Sequence, residues 1–190
     1  MAEEKMFFID PHLIDLTNVE LNGRILDVGG GGEGIIGLYK GTQVIAIDRR
    51  KNELEEAADG DYLKIIMDAK DLQFLDETFE TATAFYLFMY VPMENRREIF
   101  EEIYRVLKKG GELVLWDMVI LKKGESNKEL YGAEVKVKIG DKEIDTGYGT
   151  HWNKEQDLKY FIDLGKAVGF NISSKQEIDK KIYIRFQKPN

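Results

Sequence analysis

Apolar and polar positions change period several times along the chain, and the changes divide it into strands and helices. Arg24 to Val28 is a short, mostly apolar run that stops at four consecutive glycines, Gly29 to Gly32. Apolar residues resume at helical spacing as Ile35, Ile36, Leu38 and Tyr39. Such a succession predicts strand, tight turn and helix, with Gly41 closing the helix. The alternation continues with a second strand from Gln43 to Asp48, a short helix in 51–59, a third strand in 62–68 and, after a broken turn, a fourth strand within 81–91. From Asn95 to Lys108, Ile99, Ile103 and Leu107 share one face, with Phe100 and Tyr104 beside them, which predicts a helix ended by Gly110. A fifth strand follows in 111–121. A further helix is expected from Lys154 to Val168, capped by Asn153, with Gln156 near the capping-box position and Gly169 at its end. Two extended runs close the chain, Phe170–Ile178 and Lys180–Lys188. In the second, Ile182, Ile184 and Phe186 alternate with polar or amphipathic neighbours, as in a strand with one buried face.

This order predicts an α/β protein. The expectation is a single doubly wound, mostly parallel seven-stranded sheet with helices on both faces and a C-terminal antiparallel hairpin. Segment 122–152 departs from the alternation. After a polar stretch, Val135, Val137 and Ile139 alternate with Glu134, Lys136 and Lys138, and Gly140-Asp141 signals a turn. That pattern reads as a β-hairpin inserted between the fifth strand and the last helix. Residues 1–23 are expected to form an N-terminal lid or packing segment, and 1–190 one domain.

Composition removes several classes. The chain has 190 residues, 27 Lys+Arg against 35 Asp+Glu, a net charge of −8 and 43% hydrophobic residues, which suits a soluble globular protein. It has no cysteine, so disulfides, thiolate metal sites and cysteine nucleophiles are excluded. Its two histidines, His12 and His151, are too far apart for an HExxH motif, and no metal is expected. The uncharged run 81–93 is too short to span a bilayer, and the acidic opening "MAEEKMFFID" lacks a signal peptide's basic flank. The expectation is a cytoplasmic protein with no membrane partner. Basic clusters are short, Arg49-Arg50-Lys51 and Lys108-Lys109, which argues against nucleic acid as a partner.

Charge also changes how the glycine turn reads. Gly29, Gly31 and Gly34 satisfy G-x-G-x-x-G, although four adjacent glycines satisfy many patterns. A dinucleotide would set its pyrophosphate against this turn, where a carboxylate repels it. Asp27 stands two residues before the first glycine, Glu33 lies in the turn, and no lysine or arginine falls between Arg24 and Lys40. A cationic, phosphate-free nucleoside fits better, and S-adenosylmethionine is one.

With these residues in view, the chain resembles the class I S-adenosylmethionine-dependent methyltransferases. "ILDVGGGGEG" resembles the family's first motif, "VIAID" the second, "MDAKDLQFLDETFE" the third, and "RVLKKGGELVLWD" the helix–Gly–Gly–strand segment. The resemblance implies a cofactor site in which Asp27 lies near the methionine ammonium and Gly29, Gly30 and Gly31 let the backbone approach. It further implies that Asp48 takes the ribose hydroxyls beside Arg49, Asp68 the adenine amine beside Ala69, and Phe85 and Tyr86 line the methionine side. Asp71 competes with Asp68. The sequence departs from the family where Glu33 replaces a glycine, Gln73 and Leu75 replace prolines, and Glu80 replaces an aspartate. Methyl transfer to a small molecule is the implied activity. The hairpin and the N-terminal segment, with His12 and Trp152, would shape the acceptor pocket. No catalytic residue is assigned; His151, Tyr148 and Tyr90 are the candidate bases should the acceptor arrive protonated. Two alternatives stand beside this reading: an NAD(P)-dependent oxidoreductase, with Arg49 and Arg50 gripping a 2′-phosphate, and a non-catalytic S-adenosylmethionine-binding module.

Overall fold

The structure is a computed structural model and describes residues 5–190. Among the described residues, eleven strands form two sheets and are accompanied by four α-helices. In chain order they are β1 (Met6–Phe8), β2 (His12–Asp15), β3 (Ile25–Val28), α1 (Ile35–Lys40), β4 (Val44–Asp48), α2 (Lys51–Glu56), β5 (Leu63–Ile66), β6 (Phe79–Phe85), α3 (Met93–Val106), β7 (Leu107–Met118), β8 (Leu130–Ile139), β9 (Lys142–His151), α4 (Leu158–Val168), β10 (Asn171–Ile178) and β11 (Lys181–Gln187).

The central sheet has seven strands in the order β10-β11-β7-β6-β3-β4-β5. β5, β4, β3, β6 and β7 run parallel, while β11 is antiparallel to β7 and β10 to β11. This is the mixed seven-stranded arrangement expected from the sequence. Every residue of β3 is buried, as a central parallel strand covered on both faces requires. Ile182, Ile184 and Phe186 of β11 are fully buried, as their alternation requires. The chain runs outward from β3 through β4 to β5, then returns to β6 and runs the other way. The switch point therefore lies between the carboxyl ends of β3 and β6.

The two faces of this sheet are covered differently, which corrects the expectation of helices alone. On one face α3 and α4 bring Ile99, Phe100, Ile103 and Phe161 onto Leu26, Phe88 and Phe186. On the other, α1 covers part of the sheet and a second sheet covers the rest. Tyr131, Val135 and Val137 of β8 pack into one cluster with Ile25, Val114, Trp116 and Trp152. β8 and β9 form the expected hairpin, paired from Leu130↔His151 to Ile139↔Lys142. β1 and β2 lie end to end along the other edge of β8, parallel to it, from Met6↔Leu130 and His12↔Val135. The described part of the expected N-terminal packing segment is thus two strands of this sheet; residues 1–4 lie outside the described residues.

Two helix boundaries differ from the pattern. α3 ends at Val106 rather than near Gly110, because Leu107 is already extended and pairs with Phe79 at the start of β7. α4 starts at Leu158 rather than Lys154, and Asn153 does not cap it. Gln156 is held extended by reciprocal backbone bonds to Ile120 (2.9 and 3.1 Å), so Asp157 becomes the cap and accepts from Tyr160 N at 2.6 Å. Gly169 ends α4 in a left-handed conformation, as expected. No helix among the described residues is long and apolar enough to cross a membrane.

Candidate active site

A cavity of about 510 Å³ opens at the switch point, above the carboxyl ends of β3, β4 and β6 and beneath β9. Its floor is the glycine turn after β3. Gly29 and Gly30 both donate to the carbonyl of Ile47 (2.8 and 3.0 Å), which folds the turn tightly onto β4. Gly29 has φ +75°, where a side chain is strained. A Cβ on Gly30 would fall on Asp27 Oδ2 and 2.9 Å from Ala46 Cβ, and one on Gly31 would sit 2.5 Å from Glu53 Cβ and 3.1 Å from Asp48 Oδ2. These positions form a cradle that only glycine leaves open. Gly30→Ala is therefore expected to lower thermal stability by about 1–3 kcal/mol through overpacking. An unchanged melting curve would show that the turn can shift aside.

Two carboxylates flank the cradle. Asp27, at the end of β3, is 2% exposed and accepts from Thr83 Oγ1 of β6 at 2.7 Å. Burial raises its pKa to about 7, with nearby Asp48 adding to the shift and Thr83 opposing it. Asp48, at the end of β4, accepts from Arg50 N at 2.8 Å through Oδ1, while Oδ2 faces the turn. Asp68 and Ala69 lie on the same wall after β5, with Asp68 Oδ1 accepting from Lys70 N at 3.0 Å. Asp71 does not line the cavity. Arg49 lines it and is exposed, whereas Arg50 is drawn aside to Glu53 at 3.2 Å.

The opposite wall is aromatic. Phe85 ends β6 and Tyr86 follows with φ +51°, a conformation that costs a bulky residue roughly 1–3 kcal/mol and needs outside support. Support comes from Tyr86 N, which donates to Trp116 O at 2.8 Å, and from His12 of β2. His12 Nε2 faces the carbonyl of Asp179 at 3.2 Å, which can only accept, so Nε2 carries the hydrogen. Nδ1 then accepts from the Tyr86 hydroxyl at 2.6 Å. Burial lowers the His12 pKa to about 4, so the ring is neutral near pH 7. Tyr86 stacks on Tyr148 of β9 at 4.5 Å and 11°. Tyr148 donates to Glu33 Oε2 at 2.9 Å, and Thr146 hydrogen-bonds Glu33 Oε1. Tyr90 O accepts from Gly149 N at 3.3 Å. The inserted hairpin is thereby fastened to the glycine turn and roofs the cavity.

The cavity thus gathers Asp27, Gly29, Gly30, Gly31, Asp48, Arg49, Asp68, Ala69, Phe85 and Tyr86, together with Tyr90 and Tyr148. It does not gather His151, which is exposed at the end of β9, nor Trp152, which packs on Phe7 and Tyr131 and donates to Leu121 O at 2.7 Å. Burial first, with Glu33 adding to it, pushes the Tyr148 hydroxyl well above its ordinary pKa, and burial pushes Tyr90 up to about 12. Near neutral pH both are hydrogen-bond donors rather than bases. Glu33, read from the sequence only as an acid in the turn, and His12, expected to shape the acceptor pocket, hold this wall through Tyr148 and Tyr86. Thr146 and Tyr148 stand two apart on one strand and so share a face, a signal that could have pointed to a common partner.

An open, mostly parallel sheet with a glycine cradle and paired acids at its switch point defines a Rossmann-like α/β fold. Residues 26–115 match the family described as Methyltransferase domain. The chain matches that family over just under half of its length. It is 36% identical over 102 residues to a phosphatidylethanolamine N-methyltransferase of Cereibacter sphaeroides, a match that covers 49% of this chain and 49% of that protein. It is 37% identical over 103 residues to a ubiquinone/menaquinone biosynthesis C-methyltransferase of Desulfotalea psychrophila, covering 50% of this chain and 41% of that one. The chain spans less than half the length of these curated relatives. The fold also matches the crystal structure of an S-adenosylmethionine-dependent methyltransferase from Methanosarcina mazei, with a TM-score of 0.66, 20% identity and coverage of 90% of this chain and 94% of that one.

Proposed function

We propose that this chain transfers a methyl group from S-adenosylmethionine to a small-molecule acceptor. The observation that carries the reading is the cradle itself: a glycine floor closed to any side chain, edged by Asp27 and Asp48, with no lysine or arginine between Arg24 and Lys40. Such a donor set suits a cationic nucleoside and repels a diphosphate, which disfavours a nicotinamide dinucleotide. When bound, S-adenosylmethionine supplies a methyl group activated by its positively charged sulfur.

The residues of this chain divide the remaining work. Asp27 would take the ligand's ammonium and Asp48 Oδ2 its ribose hydroxyls, with Asp68 and Ala69 along the adenine wall. Glu33 stays anchored to the hairpin through Thr146 and Tyr148, so acceptor and donor would meet under one roof from which water is excluded. Holding two reactants in line contributes about 7–11 kcal/mol to lowering a barrier. No protein base is required unless the acceptor must lose a proton, and Tyr90 and Tyr148 offer hydrogen bonds to an acceptor rather than a place for that proton. The acceptor is taken as small because the cavity that would receive it has a volume of about 510 Å³.

Titration calorimetry tests the cofactor assignment. S-adenosylhomocysteine should bind and NADPH should not. Asp48→Ala should weaken the first about ten-fold or more, since a charged hydrogen bond contributes about 1.5–3 kcal/mol. Heat with NADPH and none with S-adenosylhomocysteine would reverse the reading.

A further inference from the structure

We infer that the aromatic wall is a cation-binding surface and that the methyl acceptor is an amine. The inference rests on the methyl-transfer reading above and adds the class of acceptor. Its ground is the juxtaposition of Tyr90 and Tyr148, backed by the buried Phe85 and Tyr86, with the Glu33 carboxylate on one side of the cavity.

The buried rings pack on one another and brace Tyr148, which lines the cavity with Tyr90. Tyr86 and Tyr148 are stacked at 4.5 Å, and Phe85 meets them edge-on, at 5.2 Å from Tyr86 and 6.2 Å from Tyr148. Aromatic faces carry negative quadrupole charge and attract ammonium groups. Glu33 adds a full negative charge behind them. Both of its oxygens take hydroxyl donors, Thr146 and Tyr148, and hydroxyls hold a carboxylate without neutralising it. Its influence reaches Tyr90 as well as Tyr148, helping to keep both phenols un-ionised. The wall therefore consists of un-ionised rings backed by one anion.

The basic side chains of the cavity are elsewhere. Arg49, Arg50 and Lys70 follow β4 and β5, on the side of Asp48 and Asp68. The Arg50 charge is felt as far as Tyr90, but its guanidinium is paired with Glu53 at 3.2 Å, whereas Glu33 is held only by hydroxyls and would favour a cation over a carboxylate or a plain hydrocarbon. Asp27 already serves the ligand ammonium in the proposed donor site, so the charge of Glu33 remains for the second reactant. The amine gives one proton to bulk water as it enters, and its lone pair then attacks. Methylation then forms one C–N bond as the donor's C–S bond breaks, the bonding pair stays on sulfur, and the positive charge passes to nitrogen. The wall stabilises the charge as it develops on nitrogen.

Calorimetry on the full chain at saturating S-adenosylhomocysteine tests this, with choline and its neutral isostere 3,3-dimethylbutan-1-ol as probes. Choline should bind about ten-fold or more tightly than the alcohol. Tyr148→Leu and Tyr90→Leu, made separately because the first also removes a roof contact, should each reduce that preference by about three-fold or more. Equal affinity for the two probes, or an unchanged preference in both variants, overturns the amine assignment. Titration of S-adenosylhomocysteine alone separates the two readings. If it binds and choline is not preferred, only the acceptor class fails; if it does not bind, methyl transfer fails and the acceptor class with it.

Discussion

Replacing Arg96 by alanine is expected to destabilise the protein by about 3–5 kcal/mol, the range seen when one partner of a buried charged network is removed. Arg96 lies on α3 with no exposed surface. It donates through Nε to Val91 O at 3.1 Å and through Nη2 to Phe88 O at 2.6 Å and Gln156 Oε1 at 2.7 Å. Gln156 in turn donates through Nε2 to Asp117 Oδ1 and Met118 O, both at 2.7 Å. Asp117 is fully buried and also accepts from Met89 N at 3.2 Å, fixing the segment that follows β6. Burial raises its pKa to about 6, and the Arg96 charge is among the groups opposing that rise. Without Arg96, the Asp117 charge loses its counterpart and Gln156 an acceptor role. A thermal melt should fall on the order of 10 °C. A melting point unchanged in Arg96→Ala would mean that solvent enters and relieves the network.

The second large effect concerns Asp27→Asn, where stability and binding should move in opposite directions. In the folded protein the pKa of Asp27 is raised from its ordinary 3.8 to about 7. Between those values the folded state holds a proton that the unfolded state has released, so stability falls as pH rises through that window. Above it, the folded chain carries a buried, poorly solvated charge. Asparagine keeps the acceptor oxygen for Thr83 and removes the charge, so the variant should melt higher than the parent at pH 8, and the difference should vanish near pH 4. Nucleoside binding should respond in the other sense. The variant should bind S-adenosylmethionine roughly 10–100-fold more weakly at pH 8, the equivalent of a lost charge-assisted hydrogen bond. The parent's own affinity should decline as pH drops below about 7, as Asp27 takes up its proton, and the variant's should not. Equal affinities at pH 8 would remove Asp27 from the ammonium site.

Legibility in the sequence followed the range of the interactions. The strand–glycine–helix unit was readable because Val28, Gly29 and Ile35 obey local rules, and the C-terminal hairpin because Ile182, Ile184 and Phe186 obey a two-residue period. The start of α4 was misread because Gln156 answers to Ile120 and Asp117, which lie far from it in the chain. Among the candidate residues, those on the carboxyl ends of β3, β4 and β6 come together because the parallel sheet brings them there. The aromatic wall was harder to read. Tyr86 and Tyr148 share no local pattern, and the contribution of His12 depends on a parallel pairing of β2 with β8 that no short-range signal announces. His151 is adjacent in sequence to the roof and yet outside the cavity, since β9 ends there and alternation turns it outward.

The pairing of β1 and β2 with β8 has a consequence for biosynthesis. These two strands are synthesised well before their partner, Leu130–Ile139, which follows more than a hundred residues later. Closing so long a loop is entropically slow, and an early strand with an open edge is exposed to mispairing meanwhile. The glycine cradle, made from consecutive units, can mature during synthesis, whereas the chamber above it waits for β9. A nascent or truncated chain ending before β8 would hold the cradle without a ceiling.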